Sequence, residues 1–441
     1  MMTLYRIGLF VSIILLLASC GNLDDGELVG TREGGEFLEL KPYGMVSIPA
    51  GSFSIGQNEE DVLGAYTSKT KTISLSSFWM DETEITNDEY RQFVYWVKDS
   101  IIRQKLSESI PEFLLTDDDD VPLEPQRLNW RKKIDMDEEE VKTQIENLYV
   151  SGWDVIDGQK EIDSRKLIYS WSHFDYAAAV KNSKNYDYST GKYKGNIIDR
   201  DGNVVAIKGR SSFIVKERDF IYPDTLCWVR DFTYSYNEPF ANAYFSHTGY
   251  DNYPVVGVSW RQSKAFCNWR TMNYNRNIKS SEKVNAWRLP TEFEWEYASR
   301  GGLSSNIYPW GGPYTRNEKG CFLANFKPLR GNYMSDGALR SFEVAQYPGN
   351  GYGLFDMAGN VAEWTNTAYS ESGYDFIHDM NPDYQYNALN TDPPALKRKV
   401  IRGGSWKDIG VYLQCGTRTF EYQDTTKSYI GFRCVRNKVN D

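Results

Sequence analysis

The side chains best suited to chemistry here are six cysteines, Cys20, Cys227, Cys267, Cys321, Cys415 and Cys434, and three histidines, His173, His247 and His378. Thiolates attack electrophiles, hold soft metals or pair as disulfides. The histidines stand far apart without ligand spacing, so they read as ordinary surface or core residues. Ser, His and Asp occur in no arrangement that makes a triad. The glycine pairs sit at turns and lack the following Lys-Ser/Thr of a phosphate loop. Of the two dense acidic runs, Asp117 to Asp120 lacks the glycine and closing glutamate of a calcium loop and reads as a solvated loop.

Cys20 belongs to a different signal. Arg6 is followed by an apolar run from Ile7 to Leu17, interrupted by Ser12, and then by Leu17-Ala-Ser-Cys20. A basic end, a short apolar core and small residues before a cleavage point make an export signal. The run is short for a bilayer span, which takes roughly 20 apolar residues. Its ending resembles the lipobox of bacterial lipoproteins, which implies that Cys20 is acylated and becomes the mature N-terminus. The polar, glycine-containing stretch after it suits a flexible tether to the lipid surface. Five thiols then remain in an oxidising compartment, where pairing is favoured and an odd count leaves at least one unpaired or bridging elsewhere.

The elements that position these residues are legible from periodicity and caps. From Lys41 to Leu75 short apolar stretches alternate with Gly and Pro, the pattern of strands joined by tight turns. Thr86-Asn-Asp-Glu89 is a capping box followed by Tyr90, Phe93, Val94 and Val97 at helical spacing. Ser259-Trp-Arg-Gln262 opens a second helix through Phe266 and Trp269, and Thr291-Glu-Phe-Glu294 a third through Tyr297. With 13 Trp, 31 Tyr and 21 Phe beside 35 Gly, the core is expected to be built from large rings in a loop-rich α+β fold. A net charge of −10 with no basic face argues against nucleic acid as a partner. The segment from about Lys98 to Ser235 differs in character, with acidic runs and many lysines.

An ordered series of phrases fills the C-terminal half. It comprises Tyr253-Pro-Val-Val-Gly-Val-Ser-Trp260, Trp287-Arg-Leu-Pro-Thr-Glu-Phe-Glu-Trp-Glu-Tyr-Ala-Ser-Arg-Gly-Gly302, Tyr308-Pro-Trp-Gly311, Gly351-Tyr-Gly-Leu-Phe-Asp-Met-Ala-Gly-Asn-Val-Ala-Glu-Trp364, Arg402-Gly-Gly-Ser-Trp406 and Ile430-Gly-Phe-Arg433. Together with Met45 to Gly56 and Glu84 to Tyr90, the series resembles the sulfatase-modifying-factor family, founded on the formylglycine-generating enzyme. That resemblance implies an irregular, loop-rich α+β fold related to C-type lectins. It implies a domain made of residues 43–96 and 236–441, after a signal peptide (1–19) and a tether (20–42), with 97–235 as a long insertion.

The active members use two thiols to hold copper(I). Matched through Gly403-Gly-Ser-Trp406, those positions carry Asp408 and Leu413, so neither copper nor oxidase activity is expected. The family's iron chemistry needs a histidine cluster that this chain lacks. Two structural calcium sites are implied: Asn325 and Asp336 with the carbonyls of Phe326 and Ala338, and Asp356 and Glu363 with the carbonyls of Gly359 and Val361. A Cys267–Cys434 disulfide is implied as well. The family's second disulfide loses a partner, because Ser299 stands in its place, which leaves Cys415, Cys227 and Cys321 unassigned.

Within the family, Gly26-Glu-Leu-Val-Gly30, Phe78-Trp-Met-Asp-Glu-Thr-Glu-Ile-Thr-Asn87, Trp96-Val-Lys-Asp-Ser100, Phe232 to Pro239 and Ala324-Asn-Phe-Lys-Pro328 resemble gliding-motility lipoproteins of the type IX secretion machinery. This implies a non-catalytic part, lipid-anchored in the outer membrane and facing the periplasm. Its implied partners are copies of itself in a ring, GldN (PorN) and other outer-membrane components of that machinery. The competing expectation is a membrane-tethered oxidase that matures exported proteins. A third, a sugar- or peptide-binding module, rests on fold analogy alone.

Overall fold

The computed structural model describes residues 39–438 except 57–68, 118–121, 125, 153–154, 156–161, 200–201, 232–238, 277 and 279–282. The export signal, Cys20 and most of the expected tether lie outside the described residues, as do Asp118 to Asp120.

The chain opens with four short strands, β1 (Met45–Ile48), β2 (Gly51–Ile55), β3 (Lys71–Leu75) and β4 (Phe78–Asp81). Helix α1 (Asn87–Ser107) follows, capped by the Thr86 hydroxyl and the reciprocal Glu89 carboxylate. A short helix, α2 (Glu139–Ile145), precedes a ribbon of β5 (Ile168–Phe174) and β10 (Ile214–Phe220). Between these two strands lie β6 (Tyr186–Asp187), β7 (Lys192–Tyr193), β8 (Asn196–Ile198) and β9 (Val204–Ala206). Helix α3 (Trp260–Asn275), β11 (Trp287–Arg288) and helix α4 (Glu292–Ser299) come next. The strands β12 (Ala362–Ala368), β13 (Arg398–Arg402), β14 (Thr419–Tyr422), β15 (Ile430–Gly431) and β16 (Val435–Asn437) complete the chain. The capping boxes at Ser259 and Thr291 are both formed.

One sheet has the order β1-β4-β16-β11 and the other β14-β13-β12-β15. The first joins the two ends of the chain, because β16 pairs antiparallel with β4 at Val435–Met80. All four residues of β4 are buried, as a strand with neighbours on both edges and packing on both faces requires. Behind the sheet, Tyr90, Phe93, Phe266, Trp269 and Phe432 meet at centroid separations of 5.3–6.3 Å, within the range that aromatic pairs favour.

The structure adds two features to residues 97–235. Helix α1 runs eleven residues past 96, to Ser107, because Ile102 and Leu106 prolong its buried stripe into a second cluster with Phe113, Val141 and Ile145. The root of the insertion is also part of the main core. Leu167, Tyr169 and Ile221 pack in it, the Tyr90 hydroxyl donates to the Ile221 carbonyl at 2.9 Å, and Arg261 of α3 holds Asp219 at 2.9 Å. A segment rich in charge thus seats itself through apolar residues on α1, β5 and the stretch after β10. Among the described residues, no helix is long and apolar enough to cross a membrane.

Candidate functional site

The turn after β13 carries the two positions where copper-holding thiols are expected in an active relative. Gly403 and Gly404 both take positive φ, and a Cβ on Gly404 would stand 2.8 Å from the Tyr412 carbonyl oxygen, so the turn closes tightly on the segment that follows. The Ser405 hydroxyl donates to Asp408 Oδ2 at 2.6 Å, and the Asp408 carbonyl accepts the Lys327 amide at 2.9 Å. Leu413 is fully buried among Tyr308, Ala324, Phe326 and Ala358. A hydroxyl-capped carboxylate and an alkyl side chain offer no soft ligand, so the residues present do not fit copper(I).

Cys415 lies two residues further on and is fully buried beside Ser299, whose hydroxyl donates to the Glu296 carbonyl at 2.8 Å. The structure therefore brings together the two positions that sequence matching paired as the family's second bridge. Burial pushes the Cys415 thiol up to about 11, with Ser299 and Arg300 acting the other way, so it stays protonated and unreactive at neutral pH.

Below this turn is a buried ionic network. Glu292, Glu296 and Arg300 follow one another at four-residue spacing down one face of α4. Glu296 accepts from Arg300 at 2.7 Å, Arg402 at 2.9 Å and the Gly56 amide at 2.9 Å. Glu292 accepts from Arg418 at 2.9 and 3.0 Å and from Arg402 at 3.4 Å. Arg402 also donates to the carbonyls of Cys415 and Thr417, so the network supports the 403–418 segment from beneath.

For the first implied calcium site, the Asn325 and Asp336 side chains each keep a buried Oδ1 without a hydrogen-bond partner. The Asn325 amide nitrogen donates to the Arg340 carbonyl at 2.8 Å, and Asp336 Oδ2 accepts the Phe326 amide at 2.7 Å, which fixes both side chains. Two orphaned hard oxygens beside backbone carbonyls fit a calcium ion. The ion would supply charge and tie irregular backbone together.

The second implied site is arranged differently from expectation. Glu363 is fully buried and clamped by Arg433, which donates at 2.7 and 2.8 Å, while Trp295 Nε1 donates to the same carboxylate at 2.8 Å. Those three bonds fix the carboxylate and leave one acceptor position, on Oε1, for a further partner. Sequence reasoning missed Glu84, which is fully buried and accepts the Val361 amide at 3.3 Å and the Asn360 side-chain amide at 3.2 Å. Burial pushes its carboxyl well up, and nearby Asp356 and Glu363 push it further. Burial likewise pushes Asp356 up to about 6, against the Ala345 amide and Arg433. Three acidic groups here face Arg433, a surplus of negative charge that a hard cation would offset.

The turn between them is constrained. Asp356, Gly359 and Asn360 all take positive φ, and a Cβ on Gly359 would meet the Asn325 carbonyl oxygen at 2.2 Å. Among the described residues, no three His, Cys, Asp or Glu side chains group as metal ligands, so a cation here would need carbonyl oxygens beside the carboxylates.

The remaining candidates fall as follows. His173, His247 and His378 lie on separate segments, and His247 Nδ1 accepts the Gly249 amide. Cys267 on α3 and Cys434 before β16 are both buried with their sulfurs 3.4 Å apart, unbonded. Cys227 is buried and Cys321 exposed.

A profile of the sulfatase-modifying factor enzyme 1-like domain matches residues 36–438. The chain belongs to that family. It is 33% identical to the mouse formylglycine-generating enzyme over 194 residues, 43% of this chain and 45% of that protein. It is also 33% identical to the bovine inactive C-alpha-formylglycine-generating enzyme 2 over 189 residues, 42% of this chain and 50% of that one. The chain thus spans about half the length of these curated relatives. PvdO from Pseudomonas aeruginosa is similar in structure over 89% of this chain and 94% of its own, with a TM-score of 0.44 and 15% identity. A formylglycine-generating enzyme and a protein named as its inactive counterpart are thus equally similar to this chain.

The expected disulfide has a direct check. Non-reducing peptide mapping of protein exported to the periplasm should recover a Cys267–Cys434 cross-linked peptide; free thiols at both positions would rule the bridge out. In the entropic picture, closing so long a loop stabilises by up to about 4–5 kcal/mol. Reduction should therefore lower the melting temperature.

Proposed function

We propose that this chain is a non-catalytic structural lipoprotein of the type IX secretion and gliding machinery, of the GldK (PorK) kind. In this reading Cys20 carries the lipid and the folded body faces the periplasm beneath the outer membrane. There it builds a ring with its own copies and GldN (PorN), alongside other outer-membrane components. The observation that carries the non-catalytic part is the pair Asp408 and Leu413: a carboxylate bonded to Ser405 and a leucine sealed in an apolar cluster stand where copper thiolates are required. The supporting network around Arg402 remains, which suits a domain kept for its shape. The machinery assignment is supported by the export signal and by the phrases at 26–30, 78–100, 232–239 and 324–328.

Two measurements test it. The purified protein, supplied with copper and a cysteine-containing peptide, is expected to give no aldehyde; turnover would establish the tethered oxidase instead. Mild-detergent extraction of the tagged chain should yield a large assembly with companion proteins identified by mass spectrometry and seen by electron microscopy. A lone monomer would remove the assembly reading.

A further inference from the structure

Between the β2–β3 hairpin and the end of α4 lies a cleft of about 340 Å³. That volume falls in the range of small-molecule sites. Neither Asp408 nor Leu413 lines it, and none of the residues implied for calcium does.

One wall is aromatic. The ring centroids of Phe53 and Tyr297 are 4.9 Å apart, and those of Tyr297 and Tyr352 are 6.0 Å apart. This wall depends on a glycine: a Cβ on Gly51 would stand 2.5 Å from the Tyr297 hydroxyl oxygen. Strand β2 approaches the tyrosine so closely only because residue 51 has no side chain.

Much of the remaining lining is hydroxyl-bearing. Ser52, Ser54 and Thr72 are exposed on the hairpin, and Ser304 and Ser305 on the turn after α4. The Ser52 hydroxyl bonds to that of Ser74 at 2.7 Å, and Ser54 to Thr72 at 3.4 Å. A hydroxyl has one donor and two acceptor positions, so each of these keeps capacity for a further partner. Among the described residues that line the cleft, Arg300 is the only charged one. Its guanidinium is answered by Glu296 at 2.7 Å and by the carbonyls of Gly56 and Asn306 at 2.9 Å.

These walls select a ligand class. A charged guest would give up hydration and meet no free opposite charge. A wholly apolar guest would leave the hydroxyls around it without partners. A pyranose ring suits both walls: its C–H face packs on aromatic rings, and its rim hydroxyls exchange hydrogen bonds with serine and threonine. We propose that this cleft binds a neutral sugar unit of a glycan. The competing occupant is a peptide strand added to the β2–β3 sheet, which has two strands. Such a strand is held by main-chain bonds and does not call for a wall of rings and hydroxyls. The sugar site goes beyond the assembly reading and does not rest on it.

The test applies the full, detergent-solubilised chain to a printed array. The array carries neutral oligosaccharides of glucose, galactose, mannose and N-acetylglucosamine, their sulfated and sialylated forms, and a set of uncharged peptides. Wild type is expected to bind at least one neutral glycan and to favour it over its charged forms. Titration calorimetry with that glycan then compares two variants. Tyr352→Ala removes a ring from the wall and should weaken binding about tenfold or more, as loss of a central aromatic contact does. Ser54→Trp fills the cleft from an exposed position and should abolish binding, with far-ultraviolet circular dichroism unchanged. Should Tyr352→Ala fail to fold, Ser54→Trp carries the test alone.

No neutral glycan bound, a preference for the charged forms, or binding that survives Ser54→Trp each overturns the proposal. A peptide that binds in place of the glycans, and is lost in Ser54→Trp, would assign the cleft to a strand instead. If a neutral glycan binds while extraction yields a lone monomer, the sugar site stands and the assembly reading fails.

Discussion

Glu296→Gln is expected to cost about 3–5 kcal/mol of folding stability, the usual penalty for removing one partner from a buried ionic pair. That is a large share of the roughly 5–15 kcal/mol that holds a protein folded. The carboxylate is fully buried and accepts from Arg300, Arg402 and the Gly56 amide. Glutamine keeps the shape but removes the charge, so Arg402 and Arg418 are left to share Glu292, and Arg300 keeps only the carbonyls of Gly56 and Asn306. Chemical denaturation followed by circular dichroism reads the loss, and a change below about 1 kcal/mol would refute the importance given to the network. Adding Arg402→Met to Glu296→Gln restores the original charge balance and should recover part of the loss, as coupled neighbours do. By contrast Asp408→Ala, which removes the acceptor of the Ser405 hydroxyl, should cost no more than about 1 kcal/mol. The contrast separates what the fold needs from what a catalyst of this family would need at the same turn.

Chelation gives the second large effect, and its size should depend on pH. EGTA is expected to lower the melting temperature at pH 7.5 by several degrees, and added calcium to restore it. In the cation-free chain Asp356 and Glu84 have raised pKa values, so each stabilises while protonated. That contribution is complete below the unfolded value near 4 and, for Asp356, is lost as pH rises through about 6. A bound cation prefers the ionised carboxylates, so its own contribution grows over the same interval. The gap between calcium-loaded and chelated protein should therefore be small at pH 5 and wide at pH 7.5. Equal melting temperatures with and without EGTA at pH 7.5 would count against calcium at both places. Replacing Asn325 and Asp336 with Ala removes the two orphaned oxygens of the first site and should abolish its part of the shift.

Much of this molecule was legible before folding was considered. The boxes Thr86–Glu89, Ser259–Gln262 and Thr291–Glu294 announce three helices, and all three form with both reciprocal hydrogen bonds. Such boxes are local: the groups that satisfy one another lie three residues apart, so nothing distant has to agree. The chemistry of residues 408 and 413 was equally legible, because a carboxylate and an alkyl group cannot become thiolates in any environment. The matched positions of Cys267 and Cys434, and of Cys415 and Ser299, did meet in space.

Other features could be decided by tertiary structure alone. The family resemblance implies Glu363 as a calcium ligand, and only the fold shows that Arg433, seventy residues away, bonds to both of its oxygens. Glu84 sits in an unremarkable run and becomes part of the acidic centre only because Asn360 and Val361 fold over it. The insertion differs in composition from the rest of the chain, yet apolar residues on β5 and after β10 pack in the main core. In each case the decisive partner is remote in the chain. A residue type limits the chemistry that a position can do, whereas burial and the nearest opposite charge decide which part of that chemistry is free to be used.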